Sequence, residues 1–186
     1  MRKLIAAALL LMLSLSLIVC SAAAEASYTA RVGERELFTV TYDDSLLTMD
    51  DETYSGDSTD DFEWFMILSS QDFAIDCGAS RYSEDENESL YLMAQDAQDE
   101  YLKSFSAGSA PSSLSFIETY PVSAGGVSVP FVVTSYSDAE YGDSYIAFTI
   151  LGGYEIYFEA YGADGENTDA ILSALKTLID SFVPAA

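Results

Sequence analysis

Hydrophobic positions along the chain follow two periods, and the period of each segment predicts its secondary structure. Alternation of apolar and polar residues, which is typical of strands, recurs along the chain. Strands are predicted over 36–42, 73–79 and 154–161, where apolar and polar residues alternate, and also over 62–69, 113–120, 127–136 and 145–151. A period of 3.6 residues predicts two amphipathic helices, one over 89–105 and one that runs from a cap at Asn167 or Thr168 to Phe182.

The order of these elements is three strands, a helix, four strands and a second helix. A sheet and an amphipathic helix each have an apolar face to bury, and packing both helices on one sheet buries all of these faces. The pattern therefore predicts the α+β class, with a single antiparallel sheet of about six to seven strands flanked by two amphipathic helices.

The last predicted strand has two chemically different faces. Its even-numbered residues are mostly apolar, whereas Glu155, Tyr157, Glu159 and Tyr161 lie on the other face. If they are exposed, these tyrosines can grip a peptide or a glycan, because tyrosine adds contact area at low entropy cost. The alternative is that the second helix or a long loop covers them.

The N-terminus is typical of an export signal. A basic pair at positions 2 and 3 precedes an apolar run over 4–19, and small residues follow that run. We expect a signal peptide over 1–24, with cleavage after Ala24 or, alternatively, after Ala26. Lipidation at Cys20 is a further alternative, because the residues before it resemble a bacterial lipobox, although Val19 replaces the usual small residue.

The rest of the chain is predicted to contain one domain. An N-terminal extension over 25–35 precedes this domain, which spans 36–183 and has no repeat and no Pro- or Gly-rich linker. Cys77 is the one cysteine after the signal, so an intramolecular disulfide is excluded there and the hydrophobic core must hold the domain together. Its place in an alternating strand predicts that Cys77 is a small core residue.

Charge is the most unusual property of the composition. The chain has 7 Lys and Arg against 31 Asp and Glu, and since Arg2 and Lys3 lie in the signal, the remainder has a net charge of −26. Such a surface repels nucleic-acid phosphates and anionic lipid headgroups, and it attracts cations and basic partners. We therefore expect no nucleic-acid binding, contact with a membrane only through a lipid anchor at Cys20, and an unidentified protein or small ligand as partner, a basic one if charge selects it.

Catalytic chemistry is limited by the absence of histidine. Without an imidazole the chain cannot form a Ser-His-Asp or Cys-His nucleophilic site, or a zinc site with histidine ligands. The Ser-x-x-Lys signature of penicillin-binding proteins occurs at 173–176, but its companion motifs do not. We expect no enzymatic activity and no catalytic residue. A carboxylate-dependent hydrolase is the alternative, favoured if a deep pocket holds two converging carboxylates with raised pKa values.

An acidic stretch after the first predicted strand supplies candidate ligands for a cation. The candidate calcium ligands are Asp50, Asp51, Asp57, Asp60 and Asp61. Carboxylate oxygens suit Ca²⁺, and extracellular sites need to bind it only at about 0.1–1 mM. A calcium-tuned structural domain is therefore one interpretation of this stretch. The alternative is a solvated acidic loop that binds no ion, in a protein without cofactors.

The order of elements resembles the PsbP-like group of photosystem II extrinsic proteins and related bacterial exported lipoproteins, the DcrB-like group. The likeness spans 36–183 and is carried by the opening Phe38-Thr39-Val40-Thr41-Tyr42-Asp43, the meander over 127–136 and 145–161, and the closing helix over 171–182. The resemblance implies an α/β/α sandwich and a binding or accessory role rather than catalysis. It assigns no functional residue to any position of this chain.

These observations predict an extracytoplasmic, non-enzymatic domain, either secreted or attached to the cell surface by lipid. We expect it to bind a partner or to act as an accessory. The hydrolase and the calcium-tuned structural domain remain the alternative functions.

Overall fold

A computed structural model describes residues 25–50, 62–106, 114–138, 142–162 and 168–185. The strands in these ranges are β1 Glu25–Val32, β2 Arg35–Asp43, β3 Thr48–Asp50, β4 Phe62–Ser69, β5 Phe73–Arg81, β6 Leu114–Ala124, β7 Val127–Asp138, β8 Gly142–Leu151, β9 Tyr154–Gly162 and β10 Val183–Pro184. The helices are α1 Gln95–Ser106 and α2 Thr168–Asp180, and a single 3₁₀ turn, Leu90–Leu92, precedes α1. No helix in these ranges is long and apolar enough to cross a membrane.

The strands form two antiparallel sheets. A seven-stranded sheet has the order β3-β4-β5-β9-β8-β7-β6, and a three-stranded sheet has the order β1-β2-β10. The large antiparallel sheet and the two helices confirm the predicted α+β class. The strand predicted at 36–42 lies in the smaller sheet, so the fold contains a second sheet in addition to the predicted one.

Residues 25–35 are predicted to be an extension that precedes the domain. In the structure they form β1, the turn after it and the first residue of β2. Strand β1 pairs along its whole length with β2, from Glu25 opposite Asp43 to Val32 opposite Arg35. The ring of Tyr28 stacks on Trp64 with a centroid distance of 6.1 Å, and Trp64 Nε1 donates a hydrogen bond of 3.3 Å to the hydroxyl of Tyr28. The segment is therefore an integral part of the packed structure.

The core lies between one face of the large sheet, the small sheet and α2. Four fully buried phenylalanines meet at its centre, and they are Phe38, Phe131, Phe158 and Phe182. Phe182 stacks on Phe38 at 4.8 Å and meets the edge of Phe131 at 5.2 Å. Helix α2 adds Ile171, Leu175 and Leu178 from its apolar face, and Cys77 is free and buried in the core as predicted.

The first helix begins later than its hydrophobic period predicts. The sequence pattern starts at residue 89, but α1 starts at Gln95, after the 3₁₀ turn. The β8–β9 hairpin explains the difference: Gly153 donates its N–H to the carbonyl of Glu88 at 2.7 Å, and Gly152 donates its N–H to Ser89 Oγ at 2.9 Å. Because the carbonyl of Glu88 and the hydroxyl of Ser89 accept these hydrogen bonds, the segment before Gln95 lies along the hairpin and is not part of the helix.

Candidate functional site

The second face of the large sheet, opposite the core, has polar and aromatic residues at its centre. On β9, Glu155, Tyr157, Glu159 and Tyr161 are half-buried and alternate with buried residues, as the sequence predicts. Strand β5 pairs with β9 in a register that places Asp76 opposite Glu159. Directly opposed residues project from the same side of a sheet, so Asp76 belongs to this surface. We call these five residues the tyrosine–carboxylate face.

Each carboxylate of this face accepts a hydrogen bond from a hydroxyl group. Tyr161 donates to Asp76 Oδ1 at 3.1 Å, and Ser144 donates to Glu159 Oε1 at 3.1 Å. Tyr101, which α1 places over the sheet, donates to Glu155 Oε1 at 2.8 Å. These neutral donors satisfy part of the hydrogen-bonding capacity of the carboxylates but bring no positive charge to them.

Partial burial changes the acid–base properties of the three carboxylates. Burial raises the pKa of Asp76 from 3.8 to about 6; the hydrogen bond from Tyr161 opposes this rise, and the nearby charge of Glu159 adds to it. Burial also raises the pKa values of Glu155 and Glu159 above the ordinary 4.5, against the opposing hydrogen bonds from Tyr101 and Ser144. The face therefore holds carboxylates that are costly to ionise in the unbound protein.

Four ion pairs of the described residues lie away from this face. They join Arg31 to Glu36, Arg35 to Glu86, Arg81 to Glu63 and Lys176 to Glu118. None of these four pairs involves a carboxylate of the tyrosine–carboxylate face. Since the chain has only five Lys and Arg after residue 24, few cations are available within it to compensate 31 acidic side chains.

A glycine in β5 makes room for one of the aromatic rings of the face. Gly78 lies opposite Tyr157, and a Cβ atom at position 78 would lie only 2.3 Å from Tyr157 Cε1. The tyrosine ring therefore lies directly over the glycine and against the sheet. This close approach explains why a residue without a side chain stands in the middle of a central strand.

A cavity of 440 Å³ lies where α1 and the segment before it meet the sheet. Its lining residues are Tyr82, Glu88, Met93, Ala97, Glu100, Tyr101, Ser104 and Glu155. The rings of Tyr82 and Tyr101 cross at 90° with a centroid distance of 6.3 Å. We call this cavity the α1 pocket; it shares Glu155 with the tyrosine–carboxylate face.

A second cavity, of 870 Å³, is a groove between α2, the β2–β3 connection and the β4–β5 turn. Small and hydroxyl-bearing residues of α2, among them Ser173, Ala174 and Thr177, form one wall. Its two carboxylates are Asp43 at the end of β2 and Asp72 in the β4–β5 turn, and Asp43 accepts hydrogen bonds from the backbone N–H and the hydroxyl of Ser45. The groove thus offers volume but no buried charged group.

The candidate calcium ligands are not assembled into a site in the described residues. Asp50 is exposed at the end of β3, and the other candidates, Asp51, Asp57, Asp60 and Asp61, lie outside the described residues, as does Cys20. Within the described ranges no group of three or more Asp, Glu or Cys side chains is placed to hold a metal ion. The lysine of the Ser-x-x-Lys match, Lys176, pairs with Glu118.

Comparison with solved structures shows a similarity of fold. The fold is similar to the solution structure of cyanobacterial PsbP (CyanoP) from Synechocystis sp. PCC 6803, with 15% sequence identity, a TM-score of 0.49, and coverage of 90% of this chain and 96% of that chain. No protein-family model and no curated protein matches the chain. The likeness concerns the fold alone, so no functional residue is transferred.

Two members of the site were missed by sequence reasoning. Asp76 lies between the core residues Ile75 and Cys77, where a polar residue is ordinary in a half-buried strand. Tyr101 lies within the first predicted amphipathic helix, and the period of that helix indicates burial but not a hydrogen bond to a carboxylate. The alternation of β9 was the available signal, and it correctly placed Tyr157, Glu159 and Tyr161 on one face.

Proposed function

We propose that this protein is an extracytoplasmic, non-enzymatic binding domain that receives a basic segment of a partner protein on its tyrosine–carboxylate face. The observation that carries the proposal is the set of three half-buried carboxylates, Asp76, Glu155 and Glu159, which take no part in the four ion pairs described above. A partly desolvated carboxylate costs free energy unless a cation compensates it. A ligand with Lys or Arg side chains supplies that cation.

The tyrosines of the face suit the same kind of ligand. Tyr157 and Tyr161 are half-buried and alternate with the two glutamates along β9. Aromatic faces attract ammonium and guanidinium groups, and each such contact contributes about 0.5–1 kcal/mol at exposed sites. An extended basic peptide can therefore place its cations on the carboxylates and its aliphatic stems on the rings.

A binding measurement with matched variants tests this proposal. A hexalysine peptide is titrated into the mature protein at about 150 mM salt, where long-range attraction is largely screened. We expect saturable binding that the double substitution Asp76→Asn and Glu159→Gln weakens by about tenfold or more, since both changes remove charge and keep the shape of the side chain.

The control removes two charges at exposed positions in turns, Asp44→Asn with Asp72→Asn. We expect this variant to bind hexalysine about as well as the wild type does. Equal weakening in both double variants would show that the peptide responds only to net charge and would contradict the proposal. Absence of saturable binding to the wild type would contradict it as well.

The location outside the cytoplasm is proposed from the N-terminal pattern. Cleavage after Ala24 would leave the whole of β1 paired with β2, whereas cleavage after Ala26 would remove the partners of Asp43 and Tyr42. The mass of the mature N-terminal peptide, from protein expressed in a bacterial host with both signal peptidases, distinguishes the routes. A free N-terminus at Glu25 or Ser27 means secretion, diacylglycerol on Cys20 means a surface lipoprotein, and an unprocessed Met1 contradicts export by either route.

A carboxylate-dependent hydrolase is a second candidate, because one observation favours it. Asp76 and Glu159 are directly opposed, both have raised pKa values, and Cβ atoms in such a pair lie about 4.5–5.5 Å apart. Against it, neither residue lines the α1 pocket or the groove beside α2. A panel of fluorogenic glycosides assayed near pH 5–6 tests it, and turnover that both Asp76→Asn and Glu159→Gln abolish would establish the enzyme.

A further inference from the structure

The α1 pocket is lined by both apolar and polar side chains, as small-molecule sites are. Its volume of 440 Å³ is within the range of about 300–1,000 Å³ that is usual for such sites. Two aromatic rings, those of Tyr82 and Tyr101, meet at a right angle in its wall, and Met93 and Ala97 add apolar surface. The pocket can therefore enclose the aliphatic part of a ligand.

The charged residues of the pocket are all acidic. Glu88, Glu100 and Glu155 line it, and no Lys or Arg is among its lining residues. Burial raises the pKa of the Tyr82 hydroxyl, and the charges of the three glutamates raise it further. An anionic ligand would be repelled from this space, and a cation would be attracted to it.

Glu155 is the carboxylate that the large sheet contributes to the pocket. It is half-buried, and its Oε1 accepts the hydrogen bond of Tyr101. A carboxylate offers about four acceptor positions on its two oxygens, so the bond from Tyr101 leaves acceptor capacity for further N–H donors. The described ion pairs bring no Lys or Arg to this side chain.

We infer that the α1 pocket binds a primary alkylammonium group, such as a lysine side chain or the end of an aliphatic amine, between the rings of Tyr82 and Tyr101 and the carboxylates of Glu100 and Glu155. A primary ammonium has three N–H donors for the carboxylates, a positive charge for the ring faces and an aliphatic stem for the apolar wall. This inference rests on the proposed function, because both require a cationic ligand. It adds the α1 pocket as the binding position of one amine group.

The position of the pocket connects it with the tyrosine–carboxylate face. Glu155 belongs to both, and it precedes Tyr157 and Glu159 on the same side of β9. A basic peptide that lies along β9 can therefore place one lysine side chain in the α1 pocket. A free amine can occupy the same pocket without touching Asp76 or Glu159, and this difference separates the two hypotheses experimentally.

The test is an NMR titration of the mature protein with n-pentylamine, and with n-pentanol and tetramethylammonium as matched ligands. We expect saturable shifts for pentylamine, centred on the amides of Ala97, Tyr101 and Ser104, and none for pentanol, which lacks the charge. The substitution Glu155→Gln keeps an acceptor for Tyr101 and removes the charge, so it should fold and weaken pentylamine binding by about tenfold. On α1, Glu100→Gln should also weaken binding, whereas Asp96→Asn, an exposed position outside the pocket lining, should not.

A second variant guards against an effect on folding alone. Tyr82 is 47% exposed, so Tyr82→Ala removes one ring of the pocket with little loss of core packing. Weaker pentylamine binding together with an unchanged unfolding midpoint would support the assignment. Unchanged binding in both Tyr82→Ala and Glu155→Gln would overturn it.

The remaining outcomes separate this inference from the proposed function. If hexalysine binds through Asp76 and Glu159 but pentylamine does not bind, the α1 pocket is not an amine site and the proposed function stands. If pentylamine binds and Glu155→Gln abolishes it, but hexalysine does not bind, the pocket stands and the proposed function fails. If tetramethylammonium binds as tightly as pentylamine, N–H recognition is wrong and the assignment to primary amines is overturned.

Discussion

Replacing Asp76 with asparagine should stabilise the protein above pH 6 and leave its stability nearly unchanged at pH 4. The carboxyl group of Asp76 is partly buried beside Glu159 and accepts one hydrogen bond, from Tyr161. Asparagine keeps the shape of the side chain and an oxygen acceptor for Tyr161, and it removes only the charge. The substitution therefore isolates the cost of ionising this group in the folded protein.

The sign and size of the effect follow from the pKa. Burial raises the pKa of Asp76 from 3.8 to about 6, so between these pH values the folded protein holds a proton that the unfolded chain has released. The free energy of unfolding therefore falls as the pH rises through this window. The full shift corresponds to about 3 kcal/mol. Since the group is only partly buried, solvent screening reduces the expected gain of Asp76→Asn at pH 7.5 to about 1–2 kcal/mol.

Urea unfolding at pH 4 and pH 7.5 measures this difference. Trp64 is 9% exposed and meets the ring of Phe38 at 5.4 Å, so its fluorescence reports loss of the core. We expect the unfolding midpoint of Asp76→Asn to exceed that of the wild type at pH 7.5 and to coincide with it at pH 4. The slope of the transition should not change, because the area buried on folding is the same.

Removal of any negative charge from so acidic a protein could raise its stability, and the control addresses this. Asp72→Asn removes one charge at an exposed position in the β4–β5 turn. An equal gain in both variants would show that general repulsion, not burial of Asp76, is responsible. A loss of stability in Asp76→Asn at pH 7.5 would refute the reasoning, because the ionised carboxylate would then be favourable in its site.

Three further predictions concern packing and net charge. Gly78→Ala should destabilise the protein by about 1–3 kcal/mol, because the added Cβ would overlap the ring of Tyr157. Urea unfolding should show a smaller loss of stability when the same change is made in a Tyr157→Ala variant. Equal losses in the wild type and in that variant would contradict the contact. Phe182→Ala should cost about 3–5 kcal/mol by the same assay, because it opens a cavity among fully buried rings, and a loss below 1 kcal/mol would contradict that packing. Raising NaCl from about 20 to about 150 mM should raise the Tm in a thermal melt, because a net charge of −26 repels itself across the folded surface, and an unmoved Tm would contradict that account.

The local pattern of the chain determined most of the elements of the fold. Strands from β4 to β9 and the stripe of α2 were predictable because a strand or helix with one buried face must repeat apolar residues with its own period. The β8–β9 hairpin was predictable from the residue types of its turn, Gly152-Gly153. Both glycines have positive φ, 62° and 82°, which this tight turn requires and which other residues rarely adopt.

Elements with little local signal were not predictable. Strand β1 reads Glu-Ala-Ser-Tyr-Thr-Ala-Arg-Val, and only Ala30 is fully buried, so its alternation is weak. Its place is determined by pairing with β2 and by the contact of Tyr28 with Trp64. The late start of α1 has the same cause, since the hairpin to which Glu88 and Ser89 bind lies far along the chain.

The sequence by itself determined the two-faced character of β9, and hence that Tyr157, Glu159 and Tyr161 share a surface. Only the tertiary structure decided which carboxylates join them. Asp76 meets Glu159 because β5 pairs with β9, and Tyr101 meets Glu155 because α1 lies over the sheet. With 31 acidic residues in the chain, composition cannot distinguish a solvated carboxylate from a desolvated one. Desolvation depends on which distant strands and helices pack around each group, and no local pattern of residues encodes that.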